Sequence, residues 1–439
     1  MARPHVIIRD ARQSELSDRR GALPSAVDSS SRVLPQSPVS TPILLSCGEA
    51  SGDLYAGELV RELRRIDSGV QCFGLGGRQL AEAGAELVAH IEEVSVIGLV
   101  EVLGKLPALR RARDRLLEAA SSRRPDVAVL IDFSGFNLRL ARKLKALGIP
   151  VVYYVSPQVW AWRRRRIGTI RANVDKMLVI LPFEEGFYRS EDIPVTFVGH
   201  PLVDLVHSRG DRTSFCQRLE LEAHRPLVAI LPGSRRREIE LHLPILVGAV
   251  ERMARERPDL QFVLLQAPTV DRSDLVAGLG ASAARIRIAA GSTHEGLAHA
   301  AAAIVASGTA TVEAALCGTP MVVVYRVGGL SYRLGRPFVH VAHYAMVNLI
   351  AEKRLVPELI QENMTEEAVA SECLRLVGEP RAAETMRHGL EEIRARLGGG
   401  GASRRAALEI LSVARTCEAA HQREAEPLEQ TLHQRKGGR

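Results

Sequence analysis

The stretch Val127–Asn137, VAVLIDFSGFN, has five consecutive apolar residues, followed by an aspartate and a turn that contains glycine. A short apolar run that ends in turn residues is typical of a strand buried on both faces of a parallel sheet. We predict a strand at Val127–Ile131 and an amphipathic helix at Asn137–Leu147, because Gly148 and Pro150 end the helical pattern. A strand, a turn and a helix in this order are the unit of an α/β fold.

The same unit recurs on both sides of this stretch. Before Pro201, apolar runs predict further strands at Ile43–Leu45, Val70–Phe73, Val151–Val155 and Met177–Leu181. After Pro201, they predict strands at Leu227–Leu231, Phe262–Gln266, Ile286–Ala289, Ala303–Val305 and Met321–Val324. Because strands alternate with helices in both halves, we predict two facing Rossmann-like α/β domains with a cleft between them and a switch near Gly199–Ser208.

Length and composition set the domain boundaries. A chain of 439 residues exceeds what a single hydrophobic core usually serves. Residues 1–40 are rich in Ser, Arg and Pro and lack apolar periodicity, so we expect a disordered extension there. The alternative is a start codon assigned too far upstream. We predict an N-terminal domain at 41–201, a C-terminal domain with terminal helices at 202–419 and a flexible, basic tail at 420–439.

The charge and cysteine content narrow the class of protein. The formal net charge is +7, which suits nucleic acid, an anionic membrane surface or phosphorylated substrates. The six cysteines form no CxxC pair, which argues against a zinc site and a disulfide framework and fits a reducing cytosol. Since no run approaches 18 apolar residues and the N-terminus lacks a signal-type apolar core, we expect a soluble or peripheral protein.

Four motifs lie at or just beyond the predicted strands. They are GEASGD at Gly48–Asp53, IDFSGFN at Ile131–Asn137, LPGSR at Leu231–Arg235 and ASGTATVEA at Ala306–Ala314. In this order and spacing, the chain from about Ile43 to about Arg415 resembles the lipid-A-disaccharide synthases. Several motifs in register are far more specific than any one of them.

The resemblance implies a glycosyltransferase-B architecture and an inverting hexosyltransferase. The enzyme would transfer 2,3-diacylglucosamine from UDP-2,3-diacylglucosamine to 2,3-diacylglucosamine 1-phosphate, forming the β(1→6) lipid A disaccharide 1-phosphate and UDP. The N-terminal domain would bind the acceptor and the C-terminal domain the UDP-sugar. We expect no cofactor and no metal, because arginines and a helix dipole are available for the leaving diphosphate and no acidic DxD-type cluster is present.

Asp132 is the candidate catalytic residue. It lies at the carboxyl end of a fully apolar strand, which is the edge where open α/β sheets bind ligands. Partial burial beside Phe133 should raise its pKa towards that of a useful general base. The alternative is that Asp132 caps the helix that starts near Asn137. The resemblance implies a base that deprotonates the acceptor 6-hydroxyl. Gly135 stands where the family usually has a second aspartate, so Asp132 is left as the only candidate in this segment.

The turn Gly48–Asp53 is the candidate acceptor or sugar site. Glu49, Ser51 and Asp53 offer carboxylates and a hydroxyl, which suit sugar hydroxyls better than bare phosphate. The alternative for two of them is a role in the following helix, with Ser51 as its N-terminal cap and Asp53 complementing its dipole. Glu49 falls outside that explanation.

The candidate donor residues follow strands of the second half. Arg235, just beyond a predicted strand, is placed to grip a diphosphate bidentately. Ser307, Gly308 and Thr309 precede a helix whose amides and dipole favour phosphate. Arg326 is a second candidate phosphate clamp.

Two further donor residues follow from likeness to known transferases. Glu313 lies one turn into the same helix and would accept the ribose hydroxyls, as the matching glutamate does in related nucleotide-sugar transferases. Its alternative is a first-turn glutamate that favours the helix dipole. Asn348 resembles the family's donor-binding asparagine. Glu352-Lys353-Arg354 departs from the usual Gly-Arg-Glu, so only Asn348 is carried over.

The segment Tyr154–Arg166, YVSPQVWAWRRRR, holds both tryptophans and the only run of four arginines. Exposed aromatics are costly and adjacent arginines repel one another, so we predict a recognition loop with Trp160 on the acceptor side. The alternative is that Trp160 and Trp162 plug a domain edge beside a solvated basic face.

A membrane contact is predicted from Val96–Val100, which is nearly all apolar and is followed by Arg110, Arg111, Arg113 and Arg115. A buried segment with a solvated arginine face is the alternative. The resemblance favours a cytoplasmic protein, peripheral on the cytoplasmic face of the inner membrane, because both implied substrates carry acyl chains.

Two other functions compete with this interpretation. The first is a related two-domain enzyme, such as a UDP-N-acetylglucosamine 2-epimerase or a transferase for another lipid acceptor. The second is a basic RNA- or membrane-binding protein with an inactive nucleotide fold. Since the chain lacks the aromatic-plus-basic strand pattern of RNA-binding modules, we expect no nucleic-acid partner.

Overall fold

The computed structural model describes residues 40–94, 99–160, 164–207, 210–329, 332 and 343–416, without the side chains of 99–105. The predicted extension before residue 40, the tail at 420–439, Trp162 and the apolar residues 96–98 lie outside the described residues.

The first half contains a seven-stranded, fully parallel sheet in the order β3-β2-β1-β4-β5-β6-β7. Its strands are β1 Thr41–Ser46, β2 Val70–Gly76, β3 Glu86–His90, β4 Val127–Ile131, β5 Val151–Tyr154, β6 Lys176–Val179 and β7 Val195–Phe197. Its helices are α1 Ala50–Ile66, α2 Arg78–Glu82, α3 Ile91–Val94, α4 Leu99–Arg123, α5 Ser134–Ala146, α6 Ile167–Asn173 and α7 Pro182–Arg189.

The second half repeats this design with a six-stranded parallel sheet in the order β10-β9-β8-β11-β12-β13. Its strands are β8 Leu227–Leu231, β9 Gln261–Gln266, β10 Ile286–Ala290, β11 Ala302–Ala306, β12 Met321–Tyr325 and β13 Glu358–Ile360. Its described helices are α8 Leu202–Leu205, α9 Arg212–Arg218, α10 Arg236–Glu256, α11 Arg272–Leu279, α12 Thr293–His299, α13 Thr309–Leu316, α14 Met346–Ala351, α15 Glu366–Gly378, α16 Pro380–Arg396 and α17 at 402–416.

The predicted α/β class and the two parallel sheets are confirmed, and all ten predicted strands are present. Sequence reasoning missed β3, β7 and β13. Each of them is a short edge strand with mostly half-exposed residues, so none shows the continuous apolar run of a central strand. The helix predicted from Asn137 begins three residues earlier, at Ser134.

The central strand β4 shows why the apolar run is continuous. All five of its residues are buried. Val127, Val129 and Ile131 face one apolar cluster, while Ala128 and Leu130 face another on the opposite side of the sheet. Alternate side chains point to opposite faces, and helices cover both faces, so no position tolerates a polar residue.

The C-terminal helix α17 packs against the first half, although the predicted boundary assigned it to the second domain. Arg405 Nε donates to the carbonyl oxygen of Val198 at 2.8 Å. Lys176 in β6 forms an ion pair with Glu409 at 3.4 Å. The helix begins where the backbone N–H groups of Gly401 and Ala402 donate to Asp204. The chain therefore returns to its first half at its C-terminal end.

Candidate active site

Each sheet has one point at which strand order reverses. In the first sheet this point lies between β1 and β4, and in the second between β8 and β11. Crevices at such points, outside the carboxyl ends of the strands, are where open α/β sheets bind ligands. The four sequence motifs follow these four strands, so the fold brings GEASGD next to IDFSGFN and LPGSR next to ASGTATVEA.

Asp132 lies in a strained turn directly after β4. Both Asp132 and Phe133 adopt left-handed backbone conformations, with φ of 47° and 45°. Such conformations cost free energy in non-glycine residues and persist only where the surroundings enforce them. The N-cap position of α5 is Phe133, and no side chain caps that helix. The capping alternative for Asp132 therefore has no support in the structure.

Asn137 holds this turn in place. Its Nδ2 donates to the carbonyl oxygens of Ser46, Ile131 and Asp132 at 3.1, 3.1 and 2.9 Å, and its Oδ1 accepts from the Ser46 hydroxyl at 2.7 Å. These bonds are buried and tie the ends of β1 and β4 together. Sequence reasoning marked Asn137 only as the start of a helix, because its partner Ser46 is 91 residues away.

The carboxyl group of Asp132 has an unusually high pKa for an aspartate. Burial raises its pKa to about 7, and the nearby Glu49 carboxylate raises it as well. The N–H of Phe133 and the Arg235 guanidinium act in the opposite direction. A carboxyl with a pKa near neutrality is well matched to general-base catalysis at physiological pH.

The GEASGD turn contacts the Asp132 turn directly. A Cβ atom at Gly48 would lie 2.3 Å from the Phe133 ring, so only glycine allows this approach. Glu49 is exposed and occupies the N-cap position of α1, with no side-chain capping bond. Ser51 is half-buried inside the first turn of α1 and does not hold the N-cap position.

Asp53 forms hydrogen bonds that stabilise the fold. Its buried carboxylate accepts hydrogen bonds from the backbone N–H groups of Gly77, Gln79 and Leu80 at 2.7, 2.9 and 3.2 Å. It therefore stabilises the N-terminus of α2. It also lies in the first turn of α1, as the alternative held, where a negative charge favours the helix dipole. Because its acceptors are used in this way, we leave Asp53 out of the proposed sugar-binding residues.

Arg235 extends from the loop after β8 towards the first half. Its Nη2 donates to Glu49 Oε2 at 2.9 Å, and its Nη1 lies 3.4 Å from Glu238 Oε1. Glu238 also accepts from the backbone N–H groups of Ser234 and Arg235, at 3.0 and 3.3 Å. Glu238 thus holds the loop after β8 in place, while the Arg235 guanidinium contacts Glu49 in the first half.

His242, which sequence reasoning missed, joins two donor-side loops. It is fully buried on α10, and its Nδ1 donates to the carbonyl oxygen of Pro232 at 2.7 Å. Its Nε2 accepts from the backbone N–H of Arg326 at 2.9 Å. The imidazole therefore fixes the loop that carries Arg235 against the loop that carries Arg326. No local pattern distinguishes such a histidine from an ordinary buried one.

The start of α13 carries three of the residues predicted to bind the donor. Ser307 uses its N–H for Val324 in β12 at 2.9 Å and its hydroxyl for the carbonyl oxygen of Tyr344 at 2.9 Å. Gly308 is exposed at the N-cap position, and Thr309 begins the helix. Backbone N–H groups of a first helical turn have no intrahelical partner, so those at Gly308 and Thr309 suit an anion better than Ser307 does.

Glu313 lies one turn further along α13 and is half-buried. His294 Nε2 lies 3.1 Å from its Oε1, a partner that sequence reasoning did not identify. The histidine holds one carboxylate oxygen of Glu313 in a fixed position.

Asn348 lies fully buried in α14. Its Oδ1 accepts from the N–H groups of Leu355 and Val356 at 2.8 and 2.9 Å, and its Nδ2 donates to Val356 and Glu358 at 2.9 and 2.8 Å. The amide is saturated by the protein, so its contacts support the loop between α14 and β13. We therefore leave Asn348 out of the groups proposed to touch the donor.

Trp160 is half-buried and packs edge-on against Phe183, with ring centroids 4.8 Å apart. Its indole N–H donates to the buried Glu184 at 3.1 Å. Burial raises the pKa of Glu184 to about 7, and the Trp160 bond acts in the opposite direction. Trp160 is therefore anchored by its polar edge, which leaves only its ring for a substrate contact.

The described residues show neither a spanning helix nor a metal cluster. None of their helices is long and apolar enough to cross a membrane. No group of three or more His, Cys, Asp or Glu side chains among them is arranged to hold a metal ion.

Comparison with known proteins identifies the family. The model of the lipid-A-disaccharide synthetase family matches residues 43–409, which is most of the chain. The chain belongs to the lipid-A-disaccharide synthase family. It is therefore a hexosyltransferase of lipid A biosynthesis, as the sequence motifs predicted.

Curated members of the family are similar over nearly their whole length. The lipid-A-disaccharide synthase of Myxococcus xanthus is 48% identical over 373 residues, which cover 84% of this chain and 97% of that protein. That of Anaeromyxobacter dehalogenans is 46% identical over 374 residues, 85% of this chain and 97% of the relative.

Solved structures show the same two-sheet fold at low identity. The UDP-GlcNAc 2-epimerase of Neisseria meningitidis, bound to UDP-GlcNAc, has a TM-score of 0.61 at 13% identity and covers 84% of this chain and 100% of its own. The calicheamicin glycosyltransferase CalG4 has a TM-score of 0.54 at 18% identity, with 85% and 98% covered. The predicted glycosyltransferase-B architecture is confirmed.

Proposed function

We propose that the enzyme transfers 2,3-diacylglucosamine from UDP-2,3-diacylglucosamine to the 6-hydroxyl of 2,3-diacylglucosamine 1-phosphate, with inversion at C1. The observation that carries this proposal is the meeting of Asp132, Glu49 and Arg235, in which a carboxyl with a pKa of about 7 faces a guanidinium. A base that faces a leaving-group partner suits a single in-line displacement, and such a displacement inverts the sugar.

Each group has one task in this reaction. Asp132 takes the proton of the 6-hydroxyl while the hydroxyl oxygen bonds to C1 of the donor. The bond from C1 to the diphosphate oxygen breaks, and its electron pair stays with UDP. Arg235, the N–H groups at Gly308 and Thr309, and Arg326 stabilise the negative charge on the diphosphate. The neutral acceptor oxygen thus becomes a glycosidic oxygen without a charged intermediate.

The nucleoside is proposed to bind beside α13. Glu313, held by His294 at 3.1 Å, accepts the two ribose hydroxyls with its free carboxylate oxygen. A solved relative in fold binds UDP-GlcNAc, which supports UDP-sugar binding at the equivalent crevice. The acceptor is proposed to lie against Ser51 and the ring of Trp160 on the first half.

Both proposed substrates carry acyl chains, so we also propose that the enzyme works at the cytoplasmic face of the inner membrane. Arg113 and Arg115 in α4 are partly exposed and form ion pairs with Asp114 and Glu93. The helix as a whole supplies the basic surface that anionic lipids attract.

The test is UDP release from UDP-2,3-diacylglucosamine by the purified protein, with and without 2,3-diacylglucosamine 1-phosphate. Acceptor-dependent UDP together with a new disaccharide lipid is the expected result. Release without acceptor would indicate hydrolysis, and consumption of UDP-N-acetylglucosamine alone would indicate an epimerase. Replacement of Arg235 by alanine should lower the rate by about 10²–10³, the usual cost of losing one oxyanion partner. Full turnover in that variant would remove Arg235 from the mechanism.

A further inference from the structure

An ion pair joins the two halves at the centre of the proposed site. Arg235, in the loop after β8, donates to Glu49, at the start of α1, at 2.9 Å. The side chains are 46% and 44% exposed. The Nη2 N–H that donates to Glu49 cannot at the same time donate to a diphosphate. A diphosphate that binds both terminal nitrogens of Arg235 bidentately therefore competes with Glu49.

We propose that Glu49 is an exchangeable partner of Arg235, displaced when the donor diphosphate binds. This proposal rests on the proposed function, in which Arg235 binds the diphosphate. Donor binding and the charges around Asp132 are then coupled through one side chain.

The relative strength of the contacts favours this exchange. Half-exposed ion pairs contribute little net stability, because water screens both charges. A diphosphate offers several oxygens to one guanidinium, and bidentate charge-assisted bonds are stronger. Glu238, the other carboxylate beside Arg235, is only 15% exposed and accepts two backbone N–H groups of the same loop. Glu238 therefore stays in place while Glu49 leaves.

The groups around Asp132 determine how the exchange changes its pKa. Cys47, just after β1, Tyr55 in α1 and Tyr153 in β5 lie close to it. Burial raises the pKa of each well above its ordinary value, so they are uncharged near neutral pH. The charged groups that act on Asp132 are Glu49 and Arg235. When phosphate neutralises Arg235, the cation that lowers the pKa of Asp132 is lost, whereas Glu49 still raises it.

The test compares Glu49→Gln with Glu240→Gln. Glu240 lies on α10, the helix that follows the Arg235 loop, and it pairs with Arg236 and Arg237 and makes no contact with Arg235 among the described ion pairs. UDP affinity is measured by calorimetry at low and high salt, and kcat is measured against pH.

We expect Glu49→Gln to change both the affinity for UDP and the pH dependence of kcat. UDP should bind up to about fivefold more tightly at low salt, since an exposed pair no longer competes, and the gain should shrink at high salt. In the same variant the acid limb of kcat should move to lower pH, because the carboxylate that raises the pKa of Asp132 is lost. Glu240→Gln should leave both quantities unchanged.

Three results would overturn the exchange. The first is unchanged or weaker UDP binding in Glu49→Gln, and the second is an equal gain in Glu240→Gln, which would indicate a general field effect. The third is an unmoved acid limb of kcat.

The Arg235→Ala variant distinguishes a failure of the proposed exchange from a failure of the proposed function. If Arg235→Ala loses UDP affinity while Glu49→Gln does not gain it, only the exchange fails. If Arg235→Ala keeps its affinity, the diphosphate contact itself is wrong. Thermal melts check that each variant is folded.

Discussion

The two points of strand reversal have the same topology and opposite charge. Beside β1 and β4 lie the carboxylates Glu49 and Asp132, whereas beside β8 and β11 lie Arg235 and the N-terminus of α13. The shared topology creates a crevice in each half. The sign of the charge decides what each crevice can do, because a base needs a carboxylate and a leaving diphosphate needs cations and N–H donors.

The two points also differ in backbone strain. Asp132 and Phe133 are non-glycine residues with positive φ, and Asn137 holds their turn with buried hydrogen bonds. On the other side, the left-handed positions are Gly233 and Gly308, with φ of 134° and 143°. Glycine adopts such angles at little cost. Strain is thus present where a single side chain must be aimed, and absent where backbone N–H groups are presented.

The largest expected effect is that of Asp132→Asn. The amide keeps the shape of the side chain but cannot take a proton, so transfer should fall by about 10²–10⁴. UDP affinity should change by no more than about fivefold, because Asp132 acts on the donor side only through Glu49 and Arg235. Steady-state rates and calorimetry measure both. A loss in UDP affinity as large as the loss in rate would mean that Asp132 contacts the donor directly. The exposed Asp259→Asn, just beyond the far end of α10, is the control.

The pH dependence tests the same base without a mutation. Because the pKa of Asp132 is raised to about 7, the carboxylate is mostly protonated below that pH and mostly ionised above it. The reaction needs the ionised form, so kcat/KM for the donor, which reports the ligand-free enzyme, should rise with pH through about 7 and then level off, with about a tenfold loss one unit below the midpoint. A flat profile between pH 5 and 8 would show that Asp132 is not the rate-determining base.

Replacement of His242 tests whether the donor crevice depends on its buried support. His242→Leu removes both bonds that join the Pro232 and Arg326 loops and leaves their polar groups unpaired, at a cost of about 1–3 kcal/mol each. We expect UDP affinity to fall about tenfold, and His242→Gln to recover part of it.

The control for His242 is His299→Gln at the opposite end of the second sheet, where the ring packs on Phe215. It should lower the melting temperature without changing UDP affinity. If both histidine variants are less stable but keep their UDP affinity, His242 supports only the core.

The smallest effect on catalysis is expected for Asp53→Ala. The substitution removes the cap of α2 and should lower the free energy of unfolding by about 0.5–2 kcal/mol. The kcat and the KM for the acceptor should stay within about twofold. Denaturant titration and acceptor kinetics measure these quantities. An acceptor KM that rises strongly at unchanged stability would return Asp53 to the sugar site.

Local sequence was sufficient for the central strands of both sheets and for the place at which we propose the site. The apolar runs at Val127–Ile131 and Leu227–Leu231 predict central strands, because both faces of a parallel sheet are covered and every position is apolar. The motifs that follow these strands then lie at ligand-binding edges, since the carboxyl ends of parallel strands meet at one edge. The family followed from the order of the motifs.

Only the tertiary structure shows which side chains at the proposed site are free of bonds to other parts of the fold. Asp53 and Asn348 look like polar site residues in the sequence, but their partners are backbone groups of other segments, so they support the fold. Glu49 meets Arg235 across a sequence separation of 186 residues. Periodicity records which face of an element is buried, whereas a side chain's partner depends on which distant segment packs beside it. For that physical reason the sequence determined the strands and motifs beside which we propose the site, and the packing of the two halves decided which of their side chains meet there.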